Sequence, residues 1–153
     1  MTDITATAYR RAAVIIKHHL AGDTQGVNAV LQEINDDTRP GPLLGALLGS
    51  LDAVTTQLVT EAGKAAFIEL VAHLAGHIPD TPTVRAARFL HAYHERQPAR
   101  LDTIAGETDD ATPLIAGMLT VYTSLVPALT TDVAGAIIDT AIRAFINLEE
   151  GAE

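Results

Sequence analysis

The sequence predicts an all-α protein of about eight helices, built as two similar four-helix halves that pack as one bundle or as a short α-solenoid. Three observations lead there. Apolar residues recur at three- and four-residue steps almost throughout, and no stretch alternates with the period of two that a half-buried strand requires. Breakers fall between the periodic stretches, at Gly22-Asp23, Pro40-Gly41-Pro42, Pro79-Asp80 and Pro98. Finally, the second half of the chain repeats the pattern of the first.

The first half reads as helices near residues 5–21, 25–35, 42–59 and 61–77. The third carries the clearest stripe, Leu43, Leu44, Leu47, Leu48, Leu51, Val54 and Leu58. Thr60 then offers an N-cap, and Phe67, Leu70, Val71 and Leu74 continue on a new helix that stops near Gly76 and Pro79. The second half reads as helices near 82–96, 98–106, 113–128 and 131–149. Ala86, Phe89, Leu90 and Tyr93 form the buried side of the first of these, and Leu114, Ile115, Met118, Leu119, Tyr122, Leu125 and Leu129 form the next long stripe. Thr131 and Asp132 supply the last cap, before Ile138, Ala141, Ile142 and Phe145. Pro127 sits inside its predicted helix and should kink it or end it early.

The two copies align at a constant offset of 71 over the long stripes, pairing Pro42 with Pro113, Leu47 with Met118, Leu51 with Tyr122, Leu58 with Leu129, Leu70 with Ala141 and Leu74 with Phe145. Upstream the offset is 73 to 74, pairing Arg11-Ala12-Ala13 with Arg85-Ala86-Ala87 and Asp36-Asp37 with Asp109-Asp110. A small deletion accounts for the slip. The domain reading is a first helical repeat over 1–78 and a second over 79–153, forming one compact domain.

Composition bounds the chemistry. At 153 residues, 48% hydrophobic and 19% charged, the chain suits one globular domain or two small ones, and it is neither disordered nor collagenous. Aromatics are 4% with no Trp, so the core must be aliphatic and rich in Ala, with close approach supplied by small residues such as Gly45, Gly49, Ala65, Ala66, Ala134 and Ala136. The absence of cysteine removes disulfides, thiol nucleophiles, Cys-based zinc sites and iron–sulfur ligation. The N-terminal segment lacks a secretory pattern, and the longest apolar run, Pro42 to Leu51, is about half a membrane span. A cytoplasmic location is therefore expected. Eight Arg over two Lys, with abundant Ala, Gly and Thr, suggest a GC-rich bacterial genome.

The net charge of −9 is unevenly spread. Residues 5–21 carry Arg10, Arg11 and Lys17 with no acid, and residues 81–100 carry Arg85, Arg88, Arg96 and Arg100 against Glu95, a formal +3 on each. Everything else holds Arg39, Lys64 and Arg143 against 18 carboxylates. The plainer reading places each basic helix beside acidic loops of its own chain, neutralising Asp36-Asp37 and Asp109-Asp110. The sharper one makes the seven cations a face for an anionic partner, either an acidic protein patch or a second copy of the chain. Nucleic acid is the weaker candidate, because the net charge opposes phosphate and no aromatic residues are interleaved for base stacking.

Histidines occur in close pairs, His18-His19, His73 with His77, and His91 with His94. Spacings of three and four place two imidazoles on one side of a helix, which is what a divalent metal needs from a single element. The metal reading takes His73, His77 and His91 as ligands, with His73 facing the middle of the following helix. Helical phase leaves His91 exposed and His94 marginal, and it puts His19 in the core-facing slot that Tyr93 holds in the other copy. The two Asp-Asp pairs each precede a Pro-initiated helix, where capping and the helix dipole explain them better than Mg²⁺ or Ca²⁺. Ser50 and Ser124, the only serines, lie inside apolar stripes and outside any nucleophile-elbow turn. The expectation is a non-enzymatic binding or adaptor module whose partner is a protein, including itself as a homodimer, with no cofactor and no membrane contact; metal binding and nucleic-acid association are the alternatives.

Overall fold

The structure is a computed structural model that describes residues 6–35, 40–77, 81–107 and 110–151. Among these residues every regular element is helical: α1 (Ala6–Leu20), α2 (Thr24–Asn35), α3 (Pro40–Leu58), α4 (Glu61–Ala75), α5 (Pro82–His94), α6 (Pro98–Ala105), α7 (Thr112–Leu125) and α8 (Asp132–Gly151), with a 3-10 turn at Pro127–Thr130. All eight predicted helices are present. Pro127 ends the α7 segment early: α7 stops at Leu125 and the chain tightens into the 3-10 turn, because proline offers no N–H to continue the α ladder. The Pro79-Asp80 and Asp36-Asp37 to Arg39 positions lie outside the described residues.

The helix ends have local causes. Thr60 Oγ1 accepts from Gly63 N at 3.0 Å and starts α4, and Thr131 Oγ1 accepts from Ala134 N at 3.4 Å at the start of α8. Thr81 does the same for α5 through Val84 N, and Asp23 Oδ1 accepts from Gly26 N at the head of α2. At the end of α1, Gly22 N donates to His19 O and Asp23 N to His18 O, with Gly22 at φ 71. The end of α5 has the same Schellman pattern, Arg96 N to Tyr93 O and Gln97 N to Ala92 O, but here the left-handed residue is Arg96 at φ 55.

By packing, the chain forms two compact units, Met1–Leu58 with Ala128–Glu153, and Val59–Pro127. In the first, α1 packs on α2, α3 and α8. Arg10 meets Glu149 and Lys17 meets Asp139, so α1 and α8 run antiparallel. Ala12, Ala13, Ile15 and Ile16 are buried with Leu43, Leu44, Ala46, Leu47, Leu48 and Leu51 of α3 and with Ala134 and Ile138 of α8. Each large aliphatic side chain buried there contributes about 1.5–3 kcal/mol.

In the second unit, α5 packs on α4, α6 and α7. Its inner side is Ala86, Ala87, Phe89 and Leu90, facing Leu114, Ile115, Met118, Leu119 and Tyr122 of α7. Phe67 of α4 lies with its ring centroid 4.8 Å from that of Tyr122 and meets the edge of His94 at 6.1 Å. The α5 and α7 backbones come close at Gly117, where a Cβ would come within 2.5 Å of Pro82 O and 2.8 Å of Ala86 Cβ. Of the small residues singled out from sequence, Ala134 is buried, whereas Ala65, Ala66 and Ala136 face solvent. The grouping by packing and the repeat halves 1–78 and 79–153 differ in where they place α4 and α8.

Candidate functional site

The basic residues of α1 and α5 are largely engaged inside their own units. Arg10 Nε donates to both carboxylate oxygens of Glu149 at 3.0 Å, and Lys17 Nζ lies 2.7 Å from Asp139 Oδ1. Hydrogen bonds from Thr7 and Arg10, with the added field of Arg10 and Arg11, hold the Glu149 carboxyl below its ordinary range. In the second unit Arg88 grips Glu107 with two bonds of 2.8 and 3.1 Å, and Arg85 Nε stands 3.6 Å from the same carboxylate. Glu107 is accordingly shifted down, chiefly by the Arg88 hydrogen bond. The partners are thus Glu149, Asp139 and Glu107, carboxylates that the linear sequence did not place beside these helices. Asp110 instead accepts the Thr112 N–H at 2.9 Å at the head of α7, which lowers its pKa and agrees with capping. Arg96 and Arg100 are exposed.

The histidines are spread out. His73 and His77 are both exposed, with ring centroids 5.1 Å apart, and His77 Nδ1 lies 3.1 Å from the His73 carbonyl oxygen, which occupies one ring nitrogen. His91 is half-buried rather than exposed, with Nδ1 shielded and without a hydrogen-bond partner among the described residues. Among the described residues no three His, Asp or Glu side chains gather in a way that could hold a metal. His18 pairs with Asp23 at 3.0 Å, so that Asp23 joins the end of α1 to the head of α2. His19 is half-buried, and desolvation holds its pKa below the ordinary 6.5.

Two surface features emerge only in three dimensions. The first is a partly open cleft of about 290 Å³ between α1, α3 and α8, walled by Tyr9, Ile16, Val54, Ile138 and Phe145, with Ser50 on its α3 side. The Tyr9 and Phe145 rings stack at 5.1 Å and 15° to form one end. Gly49 lies beside that end, where a Cβ would make ordinary van der Waals contact with the Tyr9 ring carbon and hydroxyl at 3.8 Å. The second is a set of exposed large apolar side chains, Leu70, Val133, Ile146 and Leu148, all of which lie on α4 and α8.

Among the described residues no helix is long and apolar enough to cross a membrane. Neither Ser50 nor Ser124 hydrogen-bonds a histidine or carboxylate among the described residues. The chain matches no protein-family model, no curated protein and no solved structure.

Proposed function

We propose that the protein is an internally duplicated helical binding module, without catalysis of its own, that engages basic amphipathic segments of a protein partner, one unit through α4 and the other unit through α8. The observation that carries this reading is that, among the described residues, the exposed large apolar side chains lie on those two helices, which occupy the same place in the two halves; Leu70, Val133 and Leu148 are 49%, 61% and 59% exposed. Each has acidic neighbours in sequence, Glu69 beside Leu70, Asp132 beside Val133, and Glu149 and Glu150 beside Leu148. Exposed apolar side chains with Glu69, Asp132 and Glu150 close by in sequence, on a molecule of net charge −9, complement a helix that is apolar on one side and basic on the other.

Several local features support duplication. The Thr60–Gly63 cap and the Thr131–Ala134 cap stand 71 apart, and the two Schellman motifs at Gly22 and Arg96 stand 74 apart. Buried Ala12, Ala13, Ile15 and Ile16 correspond to buried Ala86, Ala87, Phe89 and Leu90. Packing corresponds too: α1 lies on α2, α3 and α8 as α5 lies on α6, α7 and α4. On this reading each unit takes three helices from one half and the fourth from the other. The basic helices lend less to partner binding, because Arg10, Lys17, Arg85 and Arg88 are spent on intramolecular carboxylates.

Calorimetric titration with an amphipathic Leu/Lys helical peptide tests the reading. Binding should weaken with added salt and fall by at least about tenfold when Leu70→Asp and Leu148→Asp are combined. A Leu/Glu peptide of the same pattern should not bind. Equal binding of the two peptides, or none by the Leu/Lys peptide, would overturn it.

A further inference from the structure

We infer that the cleft between α1, α3 and α8 is a binding site for a small, neutral, mainly apolar molecule carrying one hydrogen-bonding group. This inference is independent of the partner reading, since it concerns the inside of one unit rather than the outer faces of α4 and α8.

Size is the first argument. A cavity of about 150 Å³ lined by aliphatic and aromatic side chains accommodates one benzene ring; at about 290 Å³ this cleft has room for a fused bicycle or a folded acyl chain, and too little for a peptide helix. Chemistry is the second. No charged side chain lines the cleft, so an ionised ligand would leave its hydration without a counter-charge. The lining does include the Tyr9 and Ser50 hydroxyls and the Gln57 amide, and none of the three makes a hydrogen bond among the described residues. Those groups can orient a single hydroxyl, carbonyl or amide while the Tyr9–Phe145 stack and the aliphatic wall receive the apolar body.

Comparison within the chain is the third argument. In the other unit, the position 71 residues before Ile138 is Phe67, which is buried and lies against Tyr122, the counterpart of Leu51. On the repeat alignment, the cleft-lining Ile138 thus stands where the other unit carries a buried aromatic ring.

The test uses the full chain and the neutral fluorophore N-phenyl-1-naphthylamine. A saturable, one-to-one rise in its emission is expected, with amide chemical-shift changes in the wild-type protein centred on Tyr9, Ser50 and Phe145. Ala141→Phe and, separately, Ala53→Leu should weaken the probe by at least about tenfold at unchanged helicity, while Ala65→Leu on the exposed side of α4 leaves it alone. Decanol should displace the probe and decanoate at pH 8 should not. Absence of saturable binding, shift changes centred elsewhere, filled variants that bind as well as wild type, or displacement by decanoate in preference to decanol would each overturn the assignment. The chemical-shift map needs no substitution, so it decides the matter even if a filled variant does not fold.

Discussion

Gly22 and Arg96 hold the same left-handed backbone at the ends of α1 and α5, at φ 71 and φ 55, yet only one of them is suited to it. A Cβ in that region crowds the following carbonyl, so Arg96 carries a strain that Gly22 does not. Replacement Arg96→Gly is expected to stabilise the protein by about 0.5–1 kcal/mol, the relief exceeding the extra freedom given to the unfolded chain. Gly22→Ala should destabilise by a similar amount, and urea denaturation of both variants measures the pair. His19 supplies a second prediction. Its folded pKa is depressed by burial, so the unfolded chain binds the proton more readily; its contribution to stability is complete above 6.5 and is lost as pH falls below that value. The denaturation midpoint should therefore drop between pH 7 and pH 5, and the drop should shrink in His19→Tyr. An equal drop in both proteins would assign it to other groups.

At the scale of elements, Gly117 of α7 and Gly135 of α8 have opposite roles. A methyl group at Gly117 would collide with the Pro82 carbonyl, a backbone atom that moves only if α5 moves, so Gly117→Ala should cost on the order of 1–3 kcal/mol. At Gly135 in α8 nothing lies within 4 Å of the added methyl, and Gly135→Ala should stabilise by about 0.5–1 kcal/mol through helix propensity. For a chain of this size each kcal/mol moves Tm by about 2–4 °C, which thermal melts resolve. Helix positions and most of their caps were legible beforehand, because Thr60, Thr131 and the breakers act on neighbours three or four residues away. The need for glycine at Gly117 was not legible, because it arises from a carbonyl 35 residues earlier, at Pro82. For the same reason the partners of Arg10, Lys17 and Arg88 could not be read: Glu149 lies 139 residues from Arg10, and no local pattern encodes a pairing at that separation.

At the scale of the molecule, α8 lies antiparallel on α1 through Arg10–Glu149, Lys17–Asp139 and the Tyr9–Phe145 stack, while α4 and α5 pack together through Phe67 and His94. If these pairs are counterparts in a duplicated fold, the connection between α4 and α5 can be moved to join α8 to α1. A circular permutant with Gly151 joined to Ala6 by a linker like residues 76–81, and opened between 78 and 79, is expected to keep the helicity and cooperative melting of the parent. Loss of cooperative folding would count against the equivalence. Cations of α1 and α5 pair with carboxylates inside each unit, as the plainer sequence reading expects, but with Glu149, Asp139 and Glu107 as partners.

What the sequence determined by itself was the set of helices, their order and much of what they bury, consequences of periodicity and capping over short distances. Tertiary structure alone decided which helices share a unit, which carboxylates receive the arginines, where a glycine is indispensable and where a cleft stays open. Those outcomes depend on side-chain sizes and charges meeting across separations of tens to more than a hundred residues, where only the folded chain brings them within a few ångströms.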